Sequence, residues 1–88
     1  MPDHAELQVS LGILLLAQGR IVDARLPLEA YARLQPANPQ SALFLDQVYL
    51  QLGRRDAARR ILAAGEQLAR RAGQTTTVAH FQEMLQGL

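Results

Sequence analysis

The chain has no cysteine, no tryptophan and no lysine, and only four aromatic residues among 88. Without cysteine there are no disulfides, no thiol nucleophile and no thiolate metal ligand, and the redox compartment stays open. The shortage of aromatic and β-branched side chains argues against a β-sandwich and leaves Leu and Ala to fill the interior, which suits closely packed helices. Glycines are six and scattered, so no glycine-rich cradle for a phosphate exists, and "GRRDAARR" lacks the glycines such a loop needs. Two histidines, His4 and His80, have no partners at metal-ligand spacing; Glu83, three residues beyond His80, reads as a surface contact. No Ser-His-Asp arrangement or paired acidic cluster is present. The expectation is a protein that is not an enzyme and holds neither metal nor cofactor.

What is present points to one small helical domain over residues 1–88. Hydrophobic residues make up 49% and charged residues 19%, enough for a core in a chain that buries roughly 60–65% of its unfolded surface. All nine basic residues are Arg, which with abundant Ala, Leu and Gln suits a GC-rich bacterial genome. The net charge of +1 hides an asymmetry. Residues 1–53 carry three Arg and five acids, giving −2, and residues 54–88 carry six Arg and three acids, giving +3. "LGILLLA" is too short to span a bilayer, and the acidic residues before it do not make a signal peptide, so it reads as a core helix of a cytoplasmic protein.

Helix punctuation is dense. Asp3, with Glu6 three residues on, predicts the start of a first helix that Gly19 stops. A second helix spans about 21–34, with Pro27 predicted to kink it. Asn38 caps and Pro39 opens a third, which ends at Gly53. A fourth covers about 55–71 and stops at Gly73. Thr75 or Thr76 is the predicted cap of a fifth, which ends at Gly87.

Gly19 and Gly53 are 34 residues apart, as are Ala24 and Ala58, and Leu28 and Leu62. The spacing W-x2-L-G-x2-Y…A-x3-F…P falls on Gln8, Leu11, Gly12, Leu15, Ala24, Leu28 and Pro36, then on Ala42, Leu45, Asp46, Tyr49, Ala58, Leu62 and Arg70. In this the chain resembles the tetratricopeptide repeat family. The Trp is missing twice, Asp46 replaces a Gly, and Arg70 replaces the Pro.

The resemblance implies an all-α fold of about five helices: antiparallel pairs stacked as a short right-handed superhelix. Its units would be repeat one over about 5–38, repeat two over about 39–72, and a capping helix over about 75–86. Leu11, Leu28, Leu45 and Leu62 are expected inside. The first helix of each pair would line a concave groove through Val9, Ile13 and Leu16, then Leu43, Gln47 and Leu50, with Phe81 and Met84 added by the last helix. Relatives that grip a C-terminal carboxylate use Lys, Arg and Asn there; Val9, Ile13, Phe44, Gln74 and Val78 stand in those places, so that clamp is not expected. The expected function is protein–protein interaction, with an apolar or amphipathic helical segment of a protein or peptide partner held in the groove. Small bacterial proteins of this fold resemble chaperones of specialised secretion systems, or assembly adaptors. The alternatives are a self-associating structural domain and, third, a nucleic-acid binder using Arg55, Arg59, Arg60, Arg70 and Arg71. Near-neutral charge and the lack of interleaved aromatics disfavour the last.

Overall fold

The computed structural model describes residues 4–88. Five α-helices follow one another: α1 (His4–Ala17), α2 (Ile21–Leu34), α3 (Gln40–Gln51), α4 (Arg55–Arg71) and α5 (Thr75–Gln86). No strand occurs among the described residues, so the all-α expectation holds. The predicted capping role of Asp3 lies outside them. None of the helices is long and apolar enough to cross a membrane.

The same turn is used three times. Gly19, Gly53 and Gly73 have φ of 75°, 75° and 71°, a left-handed backbone that costs an L side chain roughly 1–2 kcal/mol. After each glycine the chain folds back in a Schellman turn. The Arg20 N–H donates to the Leu15 carbonyl (2.9 Å), Arg54 to Tyr49 (2.8 Å) and Gln74 to Ala69 (3.0 Å). Each glycine N–H donates to the carbonyl three residues back, at 3.0–3.1 Å. The residue that completes one helix is therefore the one that starts the next. Arg20, Arg54 and Gln74 precede α2, α4 and α5 without a side-chain cap. This corrects the expectation of a threonine cap: Thr75 is already helical.

The α2–α3 connection is built differently. Pro36 keeps Gln35 out of helical backbone (φ −131°, ψ 69°), so α2 stops at Leu34. At the corresponding position α4 has Arg70 instead of proline, and it runs three residues further in register, to Arg71. Asn38 secures the turn. Its Oδ1 accepts from the Gln40 N–H (3.0 Å), and its Nδ2 donates to the Tyr31 hydroxyl (2.9 Å) and to Gln35 Oε1 (2.8 Å). Pro39 has helical φ and ψ, as a first-turn proline should.

Each helix packs chiefly on its neighbours in the chain, giving a flat body of 32 × 30 × 17 Å. The interior has two clusters. Leu15, Ala24, Leu28, Leu45 and Val48 join α1, α2 and α3. Ala42, Leu62, Ala69, Val78 and Phe81 join α3, α4 and α5. Ala24, Leu28, Ala58 and Leu62 are fully buried, and each such leucine contributes roughly 1.5–3 kcal/mol. Gly12 lets α1 lie against α2, since a methyl group there would collide with the Leu28 side chain. The helix α2 is unbroken from Ile21 to Leu34, with Pro27 buried inside it. Leu11, expected in the interior, is 47% exposed: it lies at the edge of the face that Gly12 and Leu15 bury, and no described helix covers it from beyond that edge.

Candidate binding surface

On α1, Gly12 and Leu15 face α2, which turns Ile13 and Ala17 outwards, one helical turn apart. Ile13 is 45% exposed. On α3, Ala42, Leu45 and Val48 go into the two clusters, and Gln47, Leu50 and Gln51 are left at the surface. Leu50 is 38% exposed. Val9 and Leu16 are half-buried against the α1–α3 cluster, and Leu43 and Met84 half-buried against the α3–α5 cluster. These four have only part of their surface left for a partner.

Phe81 does not belong with them. It is fully buried, because Gly65 of α4 opens a recess into which the ring goes. The expectation that Phe81 lines a groove is therefore corrected: it is a core residue that fixes α5. The signal was in the sequence, as Gly65 stands where the other helix pair has Tyr31, but it marks a vacancy only once α5 is known to lie there.

Six of the expected groove residues thus divide between exposed tips (Ile13, Gln47, Leu50) and half-buried supports (Val9, Leu16, Leu43). Sequence reasoning missed a further apolar surface. Leu7, Leu14, Val22, Leu26 and Leu34 are 50–69% exposed. Apolar residues fall on all sides of α1, the pattern of a helix covered on every side. That pattern could have revealed them.

In the basic half of the chain, Arg70–Glu66 is the one ion pair among the described residues. Arg70 Nη2 lies 2.7 Å from Glu66 Oε1, which also accepts from Arg70 Nε (3.2 Å) and Gln82 Nε2 (3.3 Å). The Arg70 hydrogen bond, ahead of the Gln82 bond, holds the Glu66 carboxyl below the usual range, against a partial desolvation. Asp56 makes no ion pair among the described residues. A cleft of about 300 Å³ lies between α2 and α4, lined by Arg25, Glu29, Tyr49, Arg54, Arg60 and Ile61 among others. Arg25 and Glu29 pair along its α2 wall at 3.4 Å. Burial, then the Glu29 charge, pushes the Tyr49 hydroxyl up, with Arg25, Arg54 and Arg60 opposing. The phenol stays protonated and the cleft keeps a polar, part-neutralised lining. Among the described residues no three His, Asp or Glu side chains converge as a metal site.

Comparison of the chain with family models, with curated proteins and with solved structures returned no match.

Proposed function

We propose that the chain is a two-unit helical-repeat module of tetratricopeptide type, capped by α5. In this reading it binds an apolar or amphipathic helical segment of a partner along the outward faces of α1 and α3, as an assembly adaptor or a chaperone does. The repeat is supported by matched positions 34 residues apart: the turns at Gly19 and Gly53 share one φ, and Ala24 and Ala58, like Leu28 and Leu62, are fully buried. The observation that carries the binding reading is the exposure of Ile13 and Leu50, with Gln47 and Gln51 beside Leu50 and no charged residue within a turn of Ile13. An apolar strip edged by Gln desolvates cheaply and accepts hydrogen bonds at its rim, which suits one face of a helix.

Fluorescence anisotropy of a labelled 18-residue amphipathic peptide of Leu and Gln tests this. Leu50→Asp and Ile13→Asp should each weaken binding at least tenfold, the equivalent of about 1.4 kcal/mol, with helicity unchanged. These two are better probes than Leu43, which also supports the interior. The double change Arg59→Glu, Arg60→Glu should alter salt dependence far more than affinity. Loss of binding in the arginine variant with silence at Leu50 and Ile13 would transfer the function to the basic face.

A further inference from the structure

A second apolar surface lies on a different side of α1, and it has its own logic. Leu7, Leu11 and Leu14 are 54%, 47% and 54% exposed. Their spacing of four and then three residues sets them in one seam along the helix, with His4 and Gln18 continuing it at the two ends. Thirty-four residues further on stand Ser41, Leu45 and Val48, all buried. Leu45 and Val48 lie in the cluster with Ala24 and Leu28, so on α3 this same seam is the one that receives α2. On α1 the seam carries more leucine than its counterpart and is left to solvent. A strip of three half-exposed leucines is the kind of surface that monomers rarely leave in water.

We propose that this seam pairs with the same seam of a second copy of the chain, α1 against α1, in a closed two-fold dimer. Three features select that occupant. First, from Leu7 to its end at Ala17 the helix has no charged residue, so two copies can meet without bringing like charges together. Second, the seam is nearly symmetric about Leu11: Leu7 lies four residues before it and Leu14 three after, while His4 and Gln18 are each seven away. A two-fold axis beside Leu11 brings that residue against its own copy, places Leu7 towards Leu14 of the second copy, and leaves the polar ends at the rim. Third, the opposite end of the molecule offers no match for head-to-tail growth. The outward side of α5 presents Thr76, His80, Glu83 and Gln86, and a leucine seam gains nothing there. The dimer leaves Ile13 and Leu50, on other sides of their helices, free for the partner proposed above, and it does not depend on that reading.

Sedimentation equilibrium of the whole chain between 5 and 500 µM (about two decades, spanning the weak-to-moderate range) should show a monomer–dimer equilibrium with no larger species. Leu11→Glu, which sets two carboxylates at the axis, should weaken the dimer at least tenfold and keep the helical circular dichroism signal, whereas Leu50→Asp should leave it intact. Because the chain has no cysteine, Leu11→Cys gives a milder test that does not depend on the glutamate variant folding. Under mild oxidation it should yield a disulfide-linked dimer, and Thr76→Cys on α5 should not. A monomer throughout the range, a dimer that survives Leu11→Glu, open-ended assembly, or equal cross-linking at residue 76 overturns the proposal.

Discussion

Gly65 lies directly under the ring of Phe81: a Cβ at residue 65 would stand 2.6 Å from the ring Cε1 and 2.7 Å from the Ala42 Cβ. Three helices meet at this point, and neither neighbour has room to retreat, since Phe81 and Ala42 are 0% and 2% exposed. Gly65→Ala therefore sets two effects against each other. Helix propensity favours alanine by about 1 kcal/mol, while overpacking costs about 1–3 kcal/mol. The contact distances decide for overpacking, and Gly65→Ala should lower stability in chemical denaturation. A gain in stability would mean that the ring is not seated on Gly65.

Much of the fold could be read from the sequence because it is fixed by local chemistry. Gly19, Gly53 and Gly73 stop helices through backbone conformation, and Asn38-Pro39 starts one through a side-chain cap; both act over a few residues. Ala24, Leu28, Leu45, Ala58 and Leu62 were legible as core because they repeat at one offset. What failed needed knowledge of the third dimension. Leu11 shares its repeat position with the buried Leu45, yet burial there requires a helix on the far side, and α1 has none among the described residues. Helical phase alone puts Phe81 at the surface, because the recess that takes its ring is the missing side chain of a residue sixteen positions earlier. The threonines that open α5 suggest caps by residue type, whereas the Schellman turn gives that place to Gln74. For the binding surface, phase picked out Ile13, Gln47 and Leu50 as exposed, but could not grade how much of Val9, Leu16 and Leu43 the interior would claim.

Pro27 invites a direct test, because it is buried within an unbroken helix. Replacing it with alanine restores the donor to the Asp23 carbonyl and removes the ring clash, together about 3 kcal/mol in a regular helix. Against this stand two lost ring methylenes at about 0.8 kcal/mol each and a more flexible unfolded chain, about 0.4–1 kcal/mol. The balance leaves a small gain. Pro27→Ala should raise the midpoint of urea unfolding slightly, whereas a clear fall would show that α2 is adapted to the proline and its packing.

Asp46 is the one acid in the interior among the described residues. It replaces the Gly12 of the first helix pair at the same offset, is 3% exposed, and has its Oδ1 buried with no hydrogen-bond partner among the described residues. Desolvation raises its pKa above the ordinary 3.8. The folded state thus holds the proton more tightly than the unfolded chain does. Its contribution is most favourable below the unfolded pKa and is lost as pH rises through the higher folded one. Asp46 consequently weakens the fold at neutral pH, the reverse of Glu66, whose depressed pKa favours the folded state once ionised. Asp46→Ala removes an unsatisfied buried group that costs about 1–3 kcal/mol, and should stabilise the protein at pH 7. The gain over wild type should shrink as pH falls from 7 to 3, because the carboxyl of the wild type becomes neutral over that range. Measuring both proteins side by side cancels the titration of Glu66 and the surface acids. A difference in unfolding free energy that grows on acidification would show that Asp46 is paired and charged in the folded state, and one that stays constant would show that burial does not shift its pKa.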